Sequence, residues 1–150
     1  MAEDFTFLRG GKTMSSQLNL DTRIIEDVAD ALIYSDHSGA IVRWNPAASA
    51  LFGFTAEETL GKNLDIIIPE PMRAGHWKGY NAAIASGTMK FAGKPTVTKA
   101  MHKSGQKLYI EMTFALVKDA DGSILGSVAM ARDVTERVER ERAAKAGAVQ

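Results

Sequence analysis

Three short polar segments most constrain what this chain is able to fold into: Ser35-Asp36-His37-Ser38-Gly39, His102-Lys103-Ser104-Gly105-Gln106 and Lys118-Asp119-Ala120-Asp121-Gly122. Each contains a glycine, which adopts positive φ at no steric cost, beside polar side chains able to bond the backbone of a tight turn. Each also lies between two apolar stretches, so each reads as the turn of a β-hairpin. The flanking strands are then Ala31–Tyr34 and Ala40–Trp44, followed later by Lys90–Ala100, Lys107–Val117 and Ile124–Ala131. Hairpins make their strands antiparallel, and five such strands predict an antiparallel sheet.

Between the second and third strands the apolar pattern changes period. Pro46 has no N–H to give to a ladder and restricts Asn45 before it, so the second strand ends there. Ala47–Phe52 resumes as helical turns that stop at Gly53. Thr55-Ala56-Glu57-Glu58 has the spacing of a capping box for a second short helix ending at Gly61. Met72–Ser86 carries the longest helical pattern of the middle and stops at Gly87. At the amino-terminal end, Leu20, Ile24, Ile25 and Val28 recur at helical spacing. At the other end Asp133–Arg137, Glu136–Arg140 and Glu141–Lys145 are i,i+4 pairs that support an exposed helix. Val134 and Val138 are its only clear apolar pair, a seam too short for a coiled coil.

These elements predict an α+β fold: a five-stranded antiparallel sheet with short helices on one face, half-closed around a pocket. Residues 1–17 are expected to form a flexible arm, 18–132 the domain with its flanking helix at 18–29, and 133–150 a projecting helix with a frayed tail. The chain has 150 residues, 45% of them hydrophobic, which suffices for a single core. Lys plus Arg number 18 and Asp plus Glu number 18, so no net field draws phosphate backbones or anionic lipid, and nucleic-acid binding is not expected as a main activity. There is no cysteine, which excludes disulfides, thiolate metal sites and cysteinyl adducts. No apolar run approaches the roughly 18 residues of a spanning helix, so no membrane partner and a cytoplasmic location are expected. No nucleophile elbow, Walker loop or His-Glu-x-x-His cluster occurs. The expected role is sensing or binding, not turnover.

Four patches resemble the PAS sensory domains: Ile33–Asn45; Ala48 through Phe52-Gly-Phe-Thr-Ala-Glu-Glu-Thr-Leu-Gly-Lys62; His102-Lys-Ser-Gly-Gln; and Gly126-Ser-Val-Ala-Met-Ala-Arg-Asp-Val-Thr-Glu136. They occur in order across about residues 20 to 140. The resemblance implies short helices wrapping the sheet around a ligand pocket, with terminal helices that pass on the signal. Within it, Ile67-Ile-Pro-Glu-Pro-Met-Arg-Ala-Gly-His-Trp-Lys-Gly-Tyr80 is similar to the haem-binding members, the FixL-type and Dos-type oxygen sensors. That similarity places His76 at the proximal iron ligand of a b-type haem, with Gly79 and Tyr80 in the same Arg-x-x-His-x-x-Gly-Tyr pattern. Lys90 falls on the cationic position that meets a haem propionate. Thr96 falls where the gas-binding arginine stands, and Lys94 where the Dos-type distal methionine stands, so neither distal chemistry carries over. A neutral imidazole on a rigid helix is sound chemistry for haem iron. Gly75 and Gly79 each cost about 1 kcal/mol relative to alanine in a helix, which points to something bulky passing close by.

The same pattern occurs in PAS domains without demonstrated haem, so three functions stay open at this point. The first is a haem sensor of O2, CO, NO or redox state. The second is a module binding non-covalent FAD or FMN, with Trp44 and Asn45 available to a flat ring, or another small molecule. The third is a cofactor-free dimerisation module. For any apolar ligand the expected lining is Ile66–Ile68, Leu116, Leu125, Val128 and Met130, while Met89, Met101, Met112 and Met130 are soft side chains that strand alternation allows inside. A homodimer through the terminal helices is expected from the apolar stripe at Leu20, Ile24 and Val28.

Overall fold

The computed structural model describes residues 19–90 and 92–149. In chain order they form helix α1 over residues 19–27, strands β1 (Ala31–Asp36) and β2 (Ile41–Trp44), helices α2 (Pro46–Phe52) and α3 (Ala56–Thr59), and a 3-10 turn at Leu64–Ile67. Helix α4 (Glu70–Ser86), strands β3 (Thr96–Met101), β4 (Lys107–Lys118) and β5 (Ile124–Asp133), and helix α5 (Thr135–Val149) complete it. The strands form one antiparallel sheet of order β2-β1-β5-β4-β3. The expected α+β architecture is therefore observed. The arm expected at residues 1–17 lies outside the described residues.

Local chemistry explains most boundaries. In the first hairpin turn the Asp36 carboxylate accepts from the Ser38 amide at 2.9 Å, the Ser38 hydroxyl at 2.6 Å and the Ala40 amide at 3.1 Å. Asn45 caps α2 by accepting from the Ala48 amide, with Pro46 in the first turn, where a missing N–H costs nothing. Thr55 and Glu58 form the expected capping box of α3. The first residues of β5 demand a glycine: a Cβ on Gly126 would run into the Ser35 carbonyl of β1. The inner face of the sheet, with Ile33, Ile110 and Met112, packs under the helices around the fully buried Phe52 and Ala48.

Of the elements whose boundaries differ from expectation, three have a plain local cause. Helix α4 begins at Glu70 because Pro71 is tolerated in a first turn. Strand β3 begins only at Thr96: Gly93 turns the chain at φ 70°, and Pro95 has no N–H to contribute to a ladder. Helix α5 begins at Thr135, whose amide the Asp133 carboxylate accepts at 2.8 Å. It runs on through Val149, where a frayed tail was expected, because Ala143, Ala144 and Ala146 are strong helix formers. Among the described residues its i,i+4 ion pair is Arg137–Glu141 at 3.8 Å, and the three expected pairs do not form. Among the described residues no helix is long and apolar enough to cross a membrane.

Candidate ligand pocket

Between α4 and the inner face of the sheet lies a cavity of about 480 Å³, a size that suits a small-molecule site. Its sheet side is walled by Ile33 of β1, Ile110, Met112 and Phe114 of β4, and Ser127 and Ala129 of β5. The small side chains of β5 are what leave the room. Its other side is α4, which contributes Met72, Gly75, His76 and Tyr80, with Ile67 and Ile68 just before it.

Helix α4 has no fully buried residue and is held by directed contacts. The Arg73 guanidinium donates to the Ile68 carbonyl at 3.0 Å, and the Trp77 indole donates to the Asp65 carboxylate at 2.7 Å. Trp77 lies so close over Gly39 that a Cβ there would collide with its ring. One turn on, the Tyr80 hydroxyl donates to the Asp36 carbonyl at 2.5 Å and lies 2.9 Å from the Ser35 hydroxyl. Burial pushes the Tyr80 phenol above its usual pKa, which keeps it a neutral donor.

His76 sits between these anchors, its ring centroid 4.7 Å from that of Trp77 and 5.8 Å from that of Tyr80. Burial pushes its pKa below the ordinary 6.5, against the opposing pull of the Asp65 carboxylate. The imidazole is therefore neutral near pH 7, the form able to bind a metal. Its Nδ1 is sealed from solvent with no hydrogen-bond partner among the described residues. An orphaned polar atom of this kind costs about 1–3 kcal/mol. Gly75 adds clearance, since a Cβ there would meet nothing within 4 Å. No three His, Cys, Asp or Glu side chains converge on a metal position among the described residues. A metal at His76 would have to bring most of its own ligands, as a macrocycle does.

The sequence-expected residues divide. His76, Tyr80, Thr96 and Ile67 line the cavity together. Gly79, Lys90, Leu116, Leu125, Val128 and Met130 do not. Val128 and Met130 stand one residue out of step with Ser127 and Ala129, and one step along a strand turns a side chain to the opposite face. With Leu116 they line a second hollow, beside Gly87 and Met89. Leu125 is 42% exposed. Lys90 is exposed on the loop before β3, and Gly79 faces open space on the outer side of α4. Of the four strand-region methionines, only Met112 reaches the cavity. Trp44 does not line it either: its indole donates to the Ser49 hydroxyl at 3.0 Å and the Phe54 carbonyl at 3.1 Å. Asn45 is consumed in capping. Sequence reasoning missed Ser35, Thr98, Phe114, Ser127 and Ala129, whose only signal was their place on the inner face of the sheet.

A family model described as the PAS fold matches residues 20–134. The chain belongs to the PAS family. Among curated relatives, the oxygen sensor protein DosP of Escherichia coli is 30% identical over 104 residues, covering 68% of this chain and 13% of DosP. The sensor protein FixL of Bradyrhizobium diazoefficiens is 40% identical over 53 residues, 35% of this chain and 10% of FixL. The chain thus spans only a small part of the length of the curated relatives it matches. The solved structure of an RNA-binding light-oxygen-voltage receptor superposes on this PAS domain with a TM-score of 0.70 at 26% identity, covering 88% of this chain and 37% of that one.

Proposed function

We propose that this PAS domain binds b-type haem through His76 and reports a diatomic gas or a redox state through its flanking helices. The observation that carries the reading is His76 itself: a neutral imidazole with a sealed, unpartnered Nδ1, on a pinned helix, at the wall of an apolar cavity. Similarity to DosP and FixL, both oxygen or sensor proteins by description, supports it. The residues that would hold the group are His76, Ile67, Ile68 and Met72 on the helical side and Met112 and Phe114 on the sheet side. When bound, the haem would supply an iron able to take O2, CO or NO.

The chain's own residues do the rest. Burial favours the neutral His76 imidazole, and the walls around it are mostly apolar. Tyr80 ties α4 to the Asp36 carbonyl. Asp36 is registered opposite Gly126 on β5, and β5 leads within two residues into α5. A displacement of α4 therefore has a bonded route that runs from Gly126 along β5 to the carboxyl-terminal helix, whose partner would be an output segment or protein. A homodimer through the terminal helices is part of the same reading.

A second reading, a non-covalently held flavin or another organic ligand in the same cavity, draws support from the hydroxyls of Ser35, Thr96, Thr98 and Ser127 on its wall and from the likeness to the light-oxygen-voltage receptor. The cavity volume weighs against a side-chain-filled, cofactor-free module. The test is the visible spectrum of the purified protein with added hemin. A ligand-sensitive Soret band lost in His76→Ala supports haem, whereas a yellow protein or no hemin uptake overturns it.

A further inference from the structure

The outer side of the sheet carries a side-chain cluster that the pocket does not use. Tyr109 of β4 precedes Ile110, which lines the cavity, and one step along a strand turns a side chain to the opposite face. The Tyr109 amide donates to the Thr135 hydroxyl at 2.9 Å, and its carbonyl accepts from the Val134 amide at 2.9 Å. These bonds fix the start of α5 against β4. Two turns further along α5, the Arg142 guanidinium comes to 4.8 Å from the centre of the Tyr109 ring. Lys107, two residues back on the same face of β4, places its ammonium 5.2 Å from that centre. Lys99 of β3 is registered directly opposite Tyr109, and cross-strand partners share a face.

Cations from β3, β4 and α5 thus gather around one phenol, and like charges gathered in this way repel. No carboxylate answers them. Glu111 of β4 and Glu141 of α5 both pair with Arg137, at 3.4 Å and 3.8 Å. Among the described residues Lys99, Lys107 and Arg142 form no ion pair. Tyr109 is only 6% exposed, and its hydroxyl is sealed from solvent with no partner at hydrogen-bond distance among the described residues. Lys107 above all, then Arg142 and Lys99, hold the phenol below its ordinary pKa of 10, so the surroundings favour negative charge at this oxygen. Ammonium and guanidinium groups only donate, and the phenol has a proton to give. The complement of such a cluster is a group that only accepts and carries more than one negative charge. A phosphate, with about two charges and three acceptor oxygens, meets that description better than a carboxylate with one charge and two oxygens.

We propose that Lys99, Lys107, Tyr109 and Arg142 form a phosphate-binding site on the outer side of the sheet, and that a phosphate held there clamps α5 to β3 and β4. The site does not require haem in the cavity. Its ligand is free phosphate or the phosphate of a nucleotide, which present the same oxygens to the cluster. Because the cations come from the sheet and from α5, the bound anion bridges the two, and it stabilises the docked position of the helix.

The experiment titrates the isotope-labelled full chain with inorganic phosphate, and separately with ADP, at constant ionic strength and follows the backbone amide signals by NMR, with sodium chloride as the control. The signals of Lys99, Lys107, Tyr109 and Arg142 are expected to shift saturably with phosphate and not with chloride. Lys107→Gln and Arg142→Gln are each expected to weaken binding about 10-fold, and Tyr109→Phe about 5-fold. Lys118→Gln, which removes a cation outside the cluster, is expected to leave binding unchanged, and the dispersion of the remaining signals reports that each variant is folded. Amide exchange in α5 is expected to slow when phosphate binds the wild type and not when it is added to Arg142→Gln. ADP binding no tighter than that of inorganic phosphate identifies the free anion as the ligand, and tighter binding of ADP identifies the nucleotide. Shifts that chloride reproduces at equal ionic strength, or binding unaltered in Lys107→Gln and Arg142→Gln, overturn the site. Saturable binding with unchanged exchange in α5 overturns the clamp.

Discussion

At residue 45 one side-chain amide serves backbone groups from three elements. Its Oδ1 accepts from the Leu32 and Ala48 amides, each at 2.9 Å, and its Nδ2 donates to the Ile25 carbonyl at 3.0 Å and the Asp30 carbonyl at 3.1 Å. Asn45 is fully buried, so no water replaces those bonds when the amide is removed. Asn45→Ala is expected to destabilise the domain by about 3 kcal/mol or more in urea unfolding; a loss under about 1 kcal/mol would show that the amide does not join α1, β1 and α2 as described. Asp36 acts with the opposite electrostatics, as a carboxylate. The Ser38 hydroxyl above all, helped by the Ala40 and Ser38 amides, holds its pKa below the ordinary 3.8, against an opposing effect of burial that is smaller than that of the hydroxyl. The stability it contributes is present above about pH 3.8 and is lost as pH falls through the lower folded-state value. Wild type should therefore exceed Asp36→Ala in urea midpoint at pH 7, with the gap narrowing toward pH 3. A gap independent of pH would contradict the hydrogen-bonded carboxylate.

Among the elements, α4 holds the greatest interest, because a helix with no fully buried residue is kept in place by three side chains. Tyr80→Phe removes the bond to the Asp36 carbonyl and is expected to cost about 1 kcal/mol while speeding amide hydrogen exchange in α4; unchanged exchange would detach Tyr80 from the route between α4 and β5. Elements of this kind also show what was legible beforehand. The hairpin turns, the Thr55–Glu58 box, the stop at Gly87 and His76 on the long helix could all be read, because each is local chemistry between residues close in the chain. The face of β5 could not. Gly126 to Ala131 alternates small and large residues, and burial alone points Val128 and Met130 inward. A cavity reverses that preference: Ser127 and Ala129 face it because they leave space, and the larger side chains turn away. The start of the third strand was placed too early, at Lys90, since the strand begins only at Thr96.

In the whole molecule, helices α1 and α5 adjoin in sequence the strands β1 and β5, which pair with each other along their shared length. Helix α5 meets the sheet through charged contacts: Arg137 to Glu111 at 3.4 Å, and the Arg142 guanidinium 4.8 Å from the centre of the Tyr109 ring. Contacts of this type are individually weak, as the proposed signalling through α5 requires. Helix α1 leaves Leu20 and Ile24 each 56% exposed, an apolar edge suited to a second copy. Light scattering at micromolar protein is expected to give a dimer, and Leu20→Lys with Ile24→Lys a monomer; a monomeric wild type would remove the terminal-helix interface. The central claim is that His76 binds haem iron, and the most direct measurement is the absorption spectrum of wild type and His76→Ala after hemin reconstitution, in the ferric, ferrous and CO-bound states. The account predicts one hemin per chain in the wild type, with a Soret band that moves on reduction and on CO binding, and loss of that spectrum in His76→Ala. Full hemin retention with an unchanged spectrum in His76→Ala, or a wild type that takes up none, would contradict it.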